Sequence, residues 1–128
     1  MDRLKECIDD YVKQKWLSSI ALAGSISEYS TAYFIEGYID KKGIFSILEH
    51  TDMIKNQKQR IKLLVKLKVI ENDDKDYLES INNIRNKYLH VSDPQSEGIK
   101  EDCLQAINAL NNFLTRHPIV ADNSSIQL

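Results

Sequence analysis

The stretch from about residue 16 to residue 41 constrains this chain more than any other. Wound at about 100° per residue, Trp16, Leu17, Ile20, Ala23, Gly24, Ser27, Thr31, Phe34, Ile35 and Tyr38 fall on one broad arc. Leu22, Ile26, Tyr29 and Tyr33, spaced four, three and four apart, form a second stripe on a different side. A helix that is apolar on two sides must be covered twice, by its own core and by another helix or subunit. Ala21, Ala23, Gly24, Ser25 and Ser27 are small enough to let a neighbouring helix approach closely. The pattern predicts a central helix.

The rest of the chain supplies material to cover it. Its 128 residues suit one domain, and four glycines and two prolines are too few for many strands and tight turns. An all-α protein is expected. The net charge of -2 excludes a uniformly basic nucleic-acid binder but leaves room for a local basic strip. Cys7 and Cys103 make neither a disulfide framework nor a zinc site, and are expected to be reduced and packed as small hydrophobes. The first six residues lack the apolar core of a signal peptide, and no apolar run could span a bilayer, so a cytoplasmic protein without a membrane partner is expected.

Around the central helix, residues 2–14 form a charged, weakly amphipathic helix with Leu4, Cys7, Ile8, Tyr11 and Val12 on one side. Gly43, after Lys41 and Lys42, fits a helix C-cap, and 44–48 a short turn of helix. Thr51 or Asp52 is expected to cap a helix over about 52–69, with Ile54, Ile61, Leu64, Val65 and Leu67 apolar. Its opposite face carries Lys55, Lys58, Lys62 and Lys66, a basic stripe that reads either as a solvated face or as a phosphate-binding surface. Asn72-Asp73-Asp74 opens a helix to about residue 90, with acids where the macrodipole favours them. Pro94 marks its stop, and Ser96 is expected to cap a last helix to about residue 116. The domain is read as 1–118 and residues 119–128 as a flexible tail.

Arg85-Asn86-Lys87-Tyr88-Leu89-His90 brings a guanidinium, an amide and an imidazole together near a helix end. Projection puts Arg85 inside the apolar arc of Tyr77, Leu78, Ile81, Ile84, Tyr88 and Leu89, with Asn82, Asn86 and His90 in a row along its edge. A guanidinium on an apolar face needs a carboxylate, carbonyls or a phosphate, and Glu28, on the edge of the central helix's main arc, is a candidate partner. Arg85 and His90, five residues apart, diverge by about 140° on a straight helix. They can act together only if the last turn bends or a second chain contributes. A buried Arg-Glu pair beside a histidine favoured by the helix dipole explains the same residues without chemistry.

Arg85-Asn86-x-x-x-His90, late in a helix and followed by one more amphipathic helix, resembles the R-N-x-x-x-H signature of HEPN domains. Residues 20–29 resemble that family's small-residue-rich early helix with its embedded acid, Glu28, and Asp76-Tyr77-Leu78-x-x-Ile81-x-x-Ile84 resembles the lead-in to the motif. The resemblance covers about residues 16–116. It implies a four- to five-helix up-and-down bundle that forms a homodimer. It further implies a metal-independent endoribonuclease of a toxin-antitoxin, phage-defence or RNA-processing system. In that scheme Arg85 binds the scissile phosphate, His90 acts as general acid or base, and Asn86 orients the histidine or a phosphate oxygen. No cofactor is implied. Lys55, Lys58, Lys62, Lys66 and Lys87 are candidate RNA contacts, and an antitoxin or nucleotidyltransferase is a candidate partner. Ser92 stands where some toxin members carry a tyrosine, and His50 and His117 match nothing in the family pattern. The alternatives are an inactive HEPN-fold module that binds RNA, nucleotide or a partner protein, and a helical adaptor in which Arg85 is purely structural.

Overall fold

A computed structural model describes residues 3–119. The fold is all-α: α1 (Arg3–Val12), α2 (Trp16–Lys42), a 3₁₀ segment (Ile44–Ile54), α3 (Gln57–Lys66), α4 (Asn72–Tyr88) and α5 (Ile99–Arg116). No helix among the described residues is long and apolar enough to cross a membrane.

The central role expected of 16–41 is realised in α2, which touches every other element. Its burial is spread around the helix, as two apolar sides require: Ile20, Ala23 and Ile35 of the broad arc are buried, and so is Ile26 of the second stripe. Small polar residues carry the closest approaches. Ser19 Oγ donates to the Cys7 carbonyl at 2.8 Å while Cys7 Sγ contacts the Ser19 carbonyl at 3.2 Å, clasping α1 to α2. Burial pushes the Cys7 thiol up to about 11, and both cysteines are free and buried. On the opposite flank a buried amide is satisfied twice: Thr31 Oγ1 donates to Gln57 Oε1 at 2.8 Å and Gln57 Nε2 donates to Ser27 Oγ at 3.1 Å. An unpaired buried amide is costly, so this network fixes the register of α3 on α2. The core between α2, α4 and α5 is closed by Leu78, Ile81, Leu110, Phe113 and Leu114, all nearly fully buried.

Several expected boundaries move. The helix expected over 52–69 begins at Gln57, because Asn56 adopts an extended conformation and its side chain accepts the Gln59 N–H at 2.9 Å. That N-cap supplies an acceptor which Thr51 and Asp52, inside the 3₁₀ segment, do not. The helix stops at Lys66 because Lys68 takes a left-handed conformation (φ 61°), with the Val69 N–H bonding back to the Leu64 carbonyl at 2.9 Å. α4 is capped by Glu71 in a capping box with Asp74, one residue before the expected Asn72. It ends at Tyr88, two residues short of His90. The cap of α5 is Gly98 (φ 78°) rather than Ser96, whose carbonyl accepts the Ile99 N–H. On α1, Cys7 is buried, but Ile8 and Val12 face solvent, contrary to the expected apolar side. Of the expected tail, only Ile119 lies among the described residues, and it is buried in the core.

Candidate functional site

The site is built where α4 crosses α2. Gly24 is buried on α2, and the side chain of Arg85 lies over it. A Cβ at position 24 would overlap Arg85 Cδ and would stand 3.0 Å from Nε and 3.1 Å from Cγ. One turn further along α2, Glu28 Oε1 accepts from Arg85 Nη1 in an ion pair. The pair expected between these residues therefore exists, with glycine as the gap through which the arginine passes. Both side chains remain about a third exposed, 32% for Arg85 and 34% for Glu28, so the guanidinium is held but not sealed. It opens on a groove of about 310 Å³ whose apolar wall is Leu17, Ile20 and Ala21.

Gly24→Ala tests this arrangement. Alanine favours a helix interior by up to about 1 kcal/mol over glycine, and displacing Arg85 from a partly exposed pair costs about as much. Thermal melting is expected to move by no more than about 1 kcal/mol equivalent, while any function that needs Arg85 falls at least about tenfold. Unchanged function would show that the position of Arg85 over Gly24 is immaterial.

The end of α4 is pinned from α5. Tyr88 Oη donates to Asp102 Oδ2 at 2.5 Å, and Lys87 Nζ donates to the same oxygen at 2.8 Å. These bonds from Lys87 and Tyr88 hold the Asp102 carboxyl below the usual carboxylate range, while burial and Asp102 push the Tyr88 phenol up. Tyr88 is thus a buried anchor, and Lys87 is engaged with Asp102 instead of standing free.

Beyond Tyr88 the chain tightens: the Leu89 N–H bonds to the Asn86 carbonyl at 3.3 Å and the Val91 N–H to the Tyr88 carbonyl at 3.2 Å. This last turn puts His90 in solvent, Asn86 is exposed on α4 itself, and among the described residues neither side chain has a hydrogen-bond or ion-pair partner. Leu89, expected to face inward, is 56% exposed, because the tighter turn rotates it out of the arc. The structure thus brings Arg85 and Glu28 together and leaves Asn86 and His90 unengaged at the helix end.

The lysines lie elsewhere. Lys58, Lys62 and Lys66 are exposed at steps of four on α3, whereas Lys55 precedes the helix and faces Asp52 at 3.5 Å. Arg60, which sequence reasoning passed over, is half-buried. It donates to the Ile54 carbonyl at 2.9 Å and to Gln57 Oε1 at 3.3 Å, and it shares a groove of about 410 Å³ with Glu28. Its signal was its place beside Gln57 and Ile61, on the inward edge of a helix whose other cations are lysines.

A second charged cluster is also absent from the sequence reading. Asp74, fully buried, faces Arg116 Nε at 2.7 Å and His117 Nε2 at 2.8 Å, and the His117 ring packs on Phe113 and Phe34. His117 is therefore a structural histidine that ties the end of α5 to the start of α4. Comparison of the chain with protein-family models, with curated proteins and with solved structures finds no match.

Proposed function

We propose that this protein is a HEPN-type, metal-independent endoribonuclease acting as a homodimer in a toxin-antitoxin, phage-defence or RNA-processing system. The observation that carries the proposal is the contrast within the motif. Arg85 is fixed by Glu28 and Gly24 yet keeps a third of its surface, whereas Asn86 and His90 are exposed without partners just beyond it. A fixed guanidinium suits a scissile phosphate, and a solvent-facing imidazole suits proton transfer. In this scheme the RNA's own 2′-OH attacks its phosphorus and the 5′-oxygen leaves, giving a 2′,3′-cyclic phosphate and a 5′-hydroxyl. His90 takes the proton from the 2′-OH or delivers one to the leaving oxygen.

One straight helix does not bring His90 onto the face of Arg85, and the last turn sends it into solvent. A second copy packed on exposed Leu89 would join two such half-sites across a two-fold axis. An antitoxin or a nucleotidyltransferase is the partner class expected to cover the same face. The test is cleavage of single-stranded RNA in EDTA with end-group analysis, alongside sedimentation. Cyclic phosphate ends from a dimer are expected. A monomer at micromolar concentration would remove the composite site.

The Arg85–Glu28 pair favours a second reading, a HEPN-fold module that binds RNA, nucleotide or a partner protein without cutting. An arginine already neutralised by a carboxylate has less field to offer a transition state. Binding that weakens steeply with salt, with no cleavage, would select it.

A further inference from the structure

The C-terminal half of α2 forms one wall of a cavity of about 530 Å³ that none of the chemistry above uses. The turn after α3 closes it with Leu67, Lys68 and Val69. Three aromatic residues line it, and they are braced from behind. Tyr33 stacks on Tyr29 with centroids 6.3 Å apart, and Phe34 meets Phe113 edge-on at 6.1 Å and His117 at 5.7 Å. Tyr38 is half-buried one turn further on. Gly37 leaves the wall between them open: a Cβ there would meet nothing within 4 Å.

The same cavity is lined by Lys41, Lys42 and Lys68, none of them ion-paired among the described residues. Glu36 and Asp40 also line it, four residues apart on α2, so an anion is accepted only towards the lysines. Lys68 is one of two non-glycine residues with positive φ among the described residues. A helix-ending turn of this kind ordinarily takes glycine, and a lysine there carries strain. The chain accepts that strain and sets a cation at the cavity's edge.

We infer that this cavity is a nucleotide-binding groove for single-stranded RNA, taking one base against the Tyr33–Phe34–Tyr38 wall and its phosphate on Lys41, Lys42 and Lys68. Aromatic faces beside a cationic rim hold single strands with little regard to sequence, and the volume is in the usual range for small-ligand sites. From Gly24 to Gly37 along α2 is about 20 Å, so the groove would grip the strand away from the cleavage centre. The inference rests on the reading of this protein as one that acts on RNA, but its test does not depend on cutting.

The probe is a fluorescein-labelled, single-stranded 2′-O-methyl oligonucleotide, which has no free 2′-OH to attack, with adenosine monophosphate and an acidic peptide as further arms. Tyr38→Ala and Lys68→Gly are each expected to weaken oligonucleotide binding about tenfold. Lys68→Gly is also expected to lower the salt slope by about one and, by relieving the left-handed strain, to raise the melting temperature by roughly 3 °C. Adenosine monophosphate competing at the groove would mark a single nucleotide as the unit held, whereas failure of competition beside tight oligonucleotide binding would mark a strand. Binding by both groove variants at the wild-type level would overturn the inference, as would wild-type protein that binds only the peptide. If those variants also cut RNA normally while Arg85→Ala does not, the groove fails and the ribonuclease reading stands.

Discussion

His90→Ala is expected to lower RNA cleavage by about a thousandfold and to leave the melting curve where it was. General acid–base groups contribute about 10²–10⁴ in rate, and His90 has no partner among the described residues whose loss could unsettle the fold. On the ribonuclease reading, Arg85→Ala is expected to lower cleavage by a similar factor, since loss of one group that stabilises a transition-state charge costs about 10²–10³. Its effect on stability is expected to be only about 1 kcal/mol, because the Arg85–Glu28 pair is a third exposed and exposed pairs contribute little. The separation between the two readouts is the informative part. A structural arginine would melt the bundle when removed and leave His90→Ala silent, which is the adaptor outcome. Full cleavage by both variants would end the ribonuclease reading. Mixing the two inactive variants adds a further check. In a composite two-fold site, a heterodimer of Arg85→Ala and His90→Ala chains is expected to recover part of the activity, because one of its half-sites draws both groups from intact positions.

Asp74→Ala is expected to destabilise the fold by about 3 kcal/mol. The carboxylate is fully buried, closes the capping box with Glu71, and faces both Arg116 and His117. Its removal leaves the Glu71 N–H without its acceptor, takes from Arg116 the nearest of its three carboxylates and takes from His117 its hydrogen-bond partner. Losing a cap costs about 1 kcal/mol, and breaking a buried pair costs more. The acid dependence follows from the same geometry. Burial opposes ionisation of Asp74, but the Glu71 N–H, His117 and Arg116 outweigh it and hold the carboxyl below the usual aspartate range. A carboxyl depressed on folding contributes stability that is present above its unfolded pKa and lost as pH falls through its folded value. Thermal melts below about pH 4 are therefore expected to fall steeply for the wild type and more shallowly for Asp74→Asn. Parallel acid limbs would show that other carboxylates govern acid unfolding.

These two predictions differ in how far the chain alone could have led to them. Arg85, Glu28 and His90 stand out in the sequence because each is of a type that conflicts with its position: a cation on an apolar arc, an acid on a helix flank, an imidazole at a helix end. Asp74 conflicts with nothing. Acids are ordinary in a first helical turn, and only the return of α5 to that point turns one of them into a buried counter-ion. The cavity between α2 and the turn after α3 is of the same kind, since its aromatic wall and Lys68 come from segments some thirty residues apart. Lys68 in particular is set apart only by its left-handed backbone.

Periodicity along one strand of sequence is enough to decide local matters, because a helix repeats its face every few residues whatever it packs against. So α2 as a doubly covered central helix, the α4 stop before Pro94 and the clean inner face of α5 were legible from residue order, which offered Glu28 only as a candidate partner for Arg85. The helix ends were legible only within a few residues, since Asn56, Glu71 and Gly98 each win their caps by backbone conformations that composition does not reveal. The tertiary structure alone decided what crosses between elements: the gap at Gly24 through which Arg85 passes and the clasp of Tyr88 and Lys87 on Asp102. Those depend on distances between residues far apart in the chain, which packing sets and local repeat cannot.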